Sequence, residues 1–262
     1  MVLRTPRTCG PHGSIGGGWL FTMKKTFVLL AALLSVCMGV SQATPVFDPI
    51  LGIVSTGAGL ADGATDVNFL LISAPAGVPL GISPKVVKTM IDYGAGSQSA
   101  FPFWHDTWVP NTANSQWVGI QDSYSAPTRD GYGPADPGGW YTFRMTFVLP
   151  SSFAAQHATI AGAWAADDRG QIYLNGVEQS SCGATGAPCF RAMQAFDINS
   201  GFVAGINYLD FSVYNNFQEH GNPTGFRVDF SGANYMVPEP STFVLWAGGL
   251  AGLALLRRRK TA

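Results

Sequence analysis

Tyr141, Phe143, Met145, Phe147 and Leu149 alternate with Thr142, Arg144, Thr146 and Val148, and this period of two restricts the fold more than any other feature. Successive side chains of an extended chain point to opposite faces, so such a run buries one face of a strand and wets the other. The pattern returns along the chain. Ile160, Gly162 and Trp164 outline a second strand, and Ile172 and Leu174 lead into Asn175-Gly176, the strongest two-residue hairpin signal. Leu209, Phe211 and Val213 oppose Asp210, Ser212 and Tyr214; Phe226, Val228 and Phe230 oppose Arg227 and Asp229, expected to face outward. Earlier strands are expected at residues 67–73, 86–93 and 116–121. Long amphipathic helical patterns are absent. Short strands between glycine- and proline-rich turns describe a mainly β chain, an antiparallel β-sandwich. Only a short linker, residues 234–237, is expected after the last strand.

Both ends of the chain differ from this body. Met23, Lys24 and Lys25 precede an apolar run over 26–38, and Ser41-Gln42-Ala43 offers a small-x-small cleavage site. This predicts a Sec signal peptide over 23–43, cut between Ala43 and Thr44. Residues 1–22, with Pro6, Pro11 and a glycine run, read as an upstream start and not as structure. Val36 stands where a lipoprotein wants a small residue before Cys37, which favours a plain signal peptide. At the other end, Val237-Pro238-Glu239-Pro240 is followed by an uncharged apolar run over 242–256 and then Arg257, Arg258, Arg259 and Lys260. Fifteen residues are fewer than the roughly 20 a bilayer core prefers, but arginine stems snorkel and bilayers thin locally. A single C-terminal transmembrane helix is therefore expected, its cations in the cytoplasm and the Pro-Glu-Pro outside the inner membrane. Gly248, Gly249 and Gly252 would let another helix approach closely. The resulting division is 1–22, 23–43, a β-domain over 44–236, and a C-terminal signal over 237–262.

Motif, apolar run and basic stop over 237–260 resemble the PEP-CTERM sorting signal of Gram-negative bacteria, with Pro238, Glu239 and Pro240 as its Pro-Glu-Pro. In that family an exosortase, a membrane cysteine protease-transpeptidase, removes the tail. The resemblance implies that this chain is an exosortase substrate: exported by the Sec and signal peptidase machinery, held transiently in the inner membrane, and delivered to the cell surface or an exopolysaccharide-rich biofilm matrix.

With the targeting segments set aside, the body holds seven cations and fifteen of the sixteen acids, a net charge near −8 hidden by the whole-chain value of −1. Such a surface is poorly suited to nucleic acid or anionic lipid. About 190 residues suffice for one core. Cys182 and Cys189 remain once Cys9 and Cys37 are lost, and in an oxidising compartment they are expected to form a local disulfide. Trp104 and Trp108, bracketed by Pro102 and Pro110 in an expected loop, are candidate carbohydrate-stacking residues, whereas Trp140 and Trp164, at strand positions, are expected in the core. Asp167 and Asp168 are a candidate calcium pair; the alternative is a turn with a local Asp168–Arg169 ion pair and Asp167 capping backbone amides. No other cofactor is expected. His105, His157 and His220 lie in no catalytic motif, no Gly-x-Ser-x-Gly elbow appears, and no spacing singles out a carboxylate pair, so no catalytic residue is expected.

The order WYTFRMTFVLP, AGAWAADDRGQIYLNG, FDINSGFVAGINYLDFSVYNN, TGFRVDFSG within residues 140–232 resembles the galactose-binding-like jelly roll of carbohydrate-binding modules. Its turn steps are Asn175-Gly176 and Gly205-Ile206-Asn207. That resemblance implies a non-catalytic domain adhering to exopolysaccharide. The alternatives are a secreted glycan-processing hydrolase and a purely structural matrix component. Residues 46–139 carry too little alternation for a core of their own and are expected to extend the same domain.

Overall fold

The period-two segments form the long strands of two antiparallel sheets. The computed structural model describes residues 45–87, 91–92, 97–98, 108–122, 136–183, 188–217, 223–237, 248–250, 252–253 and 257. One sheet runs β11 (Gln194–Ile198), β8 (Ala158–Asp167), β13 (Gly225–Val237), β6 (Val118–Gly119), β3 (Lys85–Val86), with β1 (Val46–Pro49) also paired to β13. The other runs β10 (Val177–Cys182), β9 (Arg169–Leu174), β12 (Gly205–Asn215), β7 (Gly139–Leu149), β2 (Leu70–Ser73). A small pair joins β4 (Ile91–Asp92) to β5 (Ser97–Gln98), and one short helix, α1 (Ser152–Gln156), follows β7. Ser151 caps α1, its hydroxyl accepting from the Ala154 amide at 3.1 Å.

The inner faces of the two large sheets share one apolar cluster. Tyr141, Phe143, Met145, Leu149, Ile172, Leu209, Phe211 and Val213 come from one sheet; Ile160, Trp164, Phe226 and Val228 come from the other. Phe226 stacks on Phe143 (centroids 4.8 Å apart) and on Phe211 (5.4 Å), and meets Phe69 edge-on at 5.3 Å. Full burial of each such ring contributes about 1.5–3 kcal/mol. Gly170 makes room for Trp164: a Cβ there would lie 2.6 Å from the Ser212 carbonyl and 2.8 Å from the indole.

The β9–β10 hairpin turns on Asn175 and Gly176, both with positive φ (51° and 82°), as a primed two-residue turn requires. Gly205-Ile206-Asn207 is a structural step. The buried Asn207 amide donates to the Val203 and Gly205 carbonyls, and its oxygen accepts from the Val203 amide and from Asn175 Nδ2. The two turn asparagines thus lock one end of the sheet together.

Several expectations are corrected. Residues 234–237 are not a linker: they complete β13, pairing Asn234 with Pro49 and Val237 with Val46 on one side, and Asn234 and Tyr235 with β8 on the other. The sequence Asn-Tyr-Met-Val is too short to show an alternation of its own, and its strand state comes from pairing with β1 along its length and with β8 at Asn234 and Tyr235. Arg227 does face away from the inter-sheet core, yet it is buried, because the 108–117 segment covers that side of β13. Its guanidinium donates to Ser115 Oγ at 2.8 Å, to Thr112 Oγ1 at 3.0 Å and to the Pro110 carbonyl. Among the described residues of the segments 67–73, 86–93 and 116–121, strand is confined to β2, Val86 of β3, β4 and β6. Gln116 instead donates to the Gly57 and Leu60 carbonyls and ties a loop down. β1 and β11 carry no sequence signal that announced them.

The leader, its cleavage site at Ala43 and Thr44, and Pro238, Glu239 and Pro240 lie outside the described residues. Within the apolar run and basic stop, Gly248, Gly249, Leu250, Gly252, Leu253 and Arg257 are helical. Among the described residues no helix is long and apolar enough to cross a membrane.

Candidate functional site

With Tyr141, Phe143 and Met145 turned into the core, β7 must present Trp140, Thr142 and Arg144 outward. Pairing with β12 and β9 sets these into rows across the sheet: Trp140 beside Tyr214 and Arg169, Thr142 beside Ser212 and Gln171, Arg144 beside Asp210 and Tyr173. The outer face of the five-stranded sheet therefore gathers aromatic rings, cations and hydrogen-bonding groups within three neighbouring strands.

Its geometry is well fixed. The Trp140 and Tyr214 rings meet at 5.1 Å and 63°, and the Arg169 guanidinium lies 4.1 Å from the Tyr214 centroid and 6.0 Å from that of Trp140. Arg144 grips Asp210 through Nε and Nη2, both at 2.7 Å, and lies 4.3 Å from the Tyr208 ring centroid. The hydrogen bond that Arg144 donates to Asp210 pushes the guanidinium pKa further up, so this cation is permanent. Thr142 and Ser212 hydroxyls pair at 2.7 Å; Tyr173 donates to Gln171, which donates to Glu178. A polar floor held by its own hydrogen bonds keeps its side chains in place, while Trp140 (40% exposed) and Tyr208 (39%) offer ring surface to solvent. Flat aromatic surface beside fixed donors and acceptors is the chemistry that takes a pyranose ring.

This corrects two of the expectations for the tryptophans. Trp164 is core, fully buried. Trp140 is not, because the parity that sends Tyr141 inward sends its neighbour outward. Trp108, the candidate stacking residue, is 4% exposed: its ring lies 4.1 Å from that of Trp117, and its Nε1 donates to Asp167 at 3.0 Å. Its flat face is thereby withdrawn from any sugar. Trp104 lies outside the described residues. The signal that could have found Trp140, Tyr208 and Tyr214 was already in the strand alternation.

Asp167 and Asp168 sit at the end of the sheets where β8 passes to β9. Asp168 accepts from the Asn216 amide at 2.8 Å, and its carbonyl accepts from the Cys189 amide at 2.9 Å. Burial, and then the neighbouring Asp168 charge, push the Asp167 carboxyl well above the usual carboxylate range. Asp136 is buried nearby, accepting from Gln121 and from the Thr224 amide. Calcium takes six to eight oxygens, and among the described residues no group of three or more His, Cys, Asp or Glu is arranged to hold a metal ion. Cys182 and Cys189 are joined in a disulfide, Cα atoms 5.7 Å apart, pinning this end of β10. His157, the one histidine among the described residues, donates through Nδ1 to the Phe153 carbonyl, 2.9 Å away.

Comparison with curated proteins gives no match. Among solved structures, a β-glucuronidase from Ruminococcus gnavus bound to uronic isofagomine is similar at 14% identity, covering 40% of this chain and 22% of that one, TM-score 0.25. A Bifidobacterium dentium β-glucuronidase gives 17% identity, 40% and 26% coverage and a TM-score of 0.25. The Ruminococcus gnavus enzyme with a C6-substituted uronic isofagomine gives 10% identity, 72% and 30% coverage and a TM-score of 0.32. The chain spans less than a third of each enzyme's length, and superpositions this loose carry no argument about activity. The tail is a different matter: residues 237–260 match the family model of the PEP-CTERM protein-sorting motif, which implies export, exosortase processing and membrane-associated sorting.

Proposed function

We propose that this chain is an exosortase-sorted surface or matrix protein whose jelly-roll β-sandwich adheres to exopolysaccharide without cleaving it. In this reading a signal peptide is cut between Ala43 and Thr44, residues 242–256 anchor the chain transiently in the inner membrane, and removal of the tail delivers the domain to the cell surface. The observation that carries the binding role is the outer face of the five-stranded sheet, where Trp140 and Tyr208 expose ring surface beside Arg169 and the Arg144–Asp210 pair. The role needs no cofactor. Its test is retention of the exported domain on the exopolysaccharide of the producing cell, with polymer length followed in the same sample. Retention without shortening, lost in Trp140→Ala with Tyr208→Ala, is the expected result. Shortening of the polymer that a single carboxylate substitution abolishes would make the chain a hydrolase. Folded protein with no retention would leave a purely structural matrix component.

A further inference from the structure

The end of the sandwich from which the sorting tail departs is ringed by exposed aliphatic side chains. Strand direction defines that end: β7 finishes there at Leu149, β8 starts there at Ala158, β12 starts at Gly205 opposite Leu149, and β13 finishes at Val237 opposite Val46. The β9–β10 turn at Asn175 and Gly176 also lies there, through the Asn175 amide's bond to the Tyr208 carbonyl. Val46, Leu51, Val148, Val177, Val203 and Ile206 are all exposed at this end, Leu51 to 79%. Val148 and Ile206 are direct cross-strand partners, and Gly52, next to Leu51, lies against Thr146 on β7. The opposite end carries the disulfide, the buried acids Asp136 and Asp167 and one exposed ring, Phe217, while the other exposed aliphatics, Val67, Leu70 and Leu80, lie in and around β2. A row of aliphatic residues around one end needs a partner that is apolar and unspecific in shape.

Chain reach identifies that partner. Only residues 238–241 separate the last strand residue, Val237, from the apolar run that starts at residue 242. Four residues span at most about 14 Å when fully extended, and a headgroup layer is itself roughly 5–7 Å deep. The apolar run is short: as a helix it measures about 22 Å against a hydrocarbon core of about 30 Å. A short span is accommodated by thinning the bilayer and drawing flanking residues inward. Whatever slack residues 238–241 provide is thereby reduced, and the end of the sheet is brought down to the headgroups.

We propose that this aliphatic rim rests on the outer surface of the inner membrane while the tail is still attached, seating the Pro-Glu-Pro at the bilayer interface where a membrane-embedded protease can reach it. The proposal rests on the reading of residues 242–256 as a membrane anchor. β1 contributes to the seat: its pairing with the last four residues of β13 removes slack before the motif and places Val46 and Phe47, both half-exposed, beside the exit point. Removal of the tail frees the domain, because scattered aliphatic side chains on an acidic body hold a membrane only while tethered to it.

The test uses the chain from Thr44 to Ala262, the form left once the signal peptide is cut, reconstituted in vesicles of phosphatidylethanolamine and phosphatidylglycerol. Single cysteines placed at Leu51, Val148 or Ile206, and at Phe217 as a control from the opposite end, carry an environment-sensitive nitrobenzoxadiazole probe. Blue-shifted emission and quenching by doxyl-labelled lipid at the three rim positions, absent at Phe217 and lost when the tail is cleaved, are expected. Leu51→Glu with Val203→Glu should diminish the quenching at Val148 while the melting temperature stays unchanged. Protease protection of the tail, measured in the same vesicles, separates the two ideas. A protected tail with unquenched rim probes overturns the rim and leaves the anchor intact. An unprotected tail overturns both. Blue shift without lipid quenching, growing with protein concentration, would make the rim a contact between copies and overturn the membrane assignment.

Discussion

Replacing Trp140 with alanine should separate binding from stability more cleanly than any other change in this molecule. The ring is 40% exposed, so part of its area already faces water in the folded state. What the fold loses is its edge-on contact with Tyr214 at 5.1 Å and a distant cation–π contact with Arg169 at 6.0 Å. The aromatic pair contributes about 0.5–1.5 kcal/mol beyond area burial, an exposed cation–π contact about 0.5 kcal/mol and the buried share of the ring about 1–2 kcal/mol, so the cost is about 2–4 kcal/mol. For a domain of this size that lowers Tm by about 4–16 °C, against a total stability of about 5–15 kcal/mol, and the protein stays folded. A stacking tryptophan on a binding face contributes about 2 kcal/mol or more, so affinity for the polysaccharide should fall at least about tenfold. Electrophoresis through gels containing the polymer measures affinity as retardation, and thermal unfolding of the same sample measures the stability cost. Lost retardation with a drop in Tm within that range is the expected pair of results. A Trp140→Ala protein that melts earlier but is retarded like the parent would refute the assignment of this face.

Three further outcomes follow from the structure. Replacing Cys182 and Cys189 by serine opens a loop with a sequence separation of 7, which should cost about 2–3 kcal/mol by loop-closure entropy, read as a lower urea midpoint that reductant reproduces in the parent. Asp167 is held protonated at pH values where the unfolded chain ionises, so its stabilising share is complete below about pH 4 and drains away as pH rises toward its folded pKa. Asp167→Asn keeps an oxygen for Trp108 Nε1, and its unfolding free energy should exceed the parent's at pH 7 while converging with it at acid pH; parallel pH profiles would contradict this. Arg227→Lys keeps the charge but cannot reach Ser115, Thr112 and Pro110 together, and burial already lowers the guanidinium's pKa, so a loss of about 2–4 kcal/mol is expected in chemical denaturation.

The long central strands were legible because each carries its own alternation: the inward sets of β7, β12 and β13 are the residues that the period-two pattern named. The Asn175-Gly176 turn was equally local, since positive φ at two adjacent positions is a demand that few residue pairs meet. Strands β1 and β11 were not legible, because edge strands owe their state to partners: Val46 and Phe47 are exposed residues whose backbone happens to lie beside β13. The same holds for residues 234–237, four residues before a Pro-Glu-Pro that show no alternation of their own until β1 and β8 pair with them. Placement of the tryptophans failed where loop-likeness was used in place of parity. Trp108 was read from its flanking prolines and lies buried against Trp117, whereas Trp140, one residue from a correctly assigned inward tyrosine, stands outside.

By itself, the sequence determined the sheet-rich character of this protein and its sorting tail, for both are written in runs of neighbouring residues: a period of two, and a motif, an apolar stretch and four cations in order. Only the tertiary structure decided which aromatic rings meet solvent, which arginine is buried and which end of the sandwich the tail leaves. Those properties belong to residues far apart in the chain, such as Trp140, Tyr214 and Arg169, or Arg227 and Ser115, brought together by strand register and by segments folding over a sheet. Local pattern fixes which way a side chain points; what it then meets depends on the packing of distant elements.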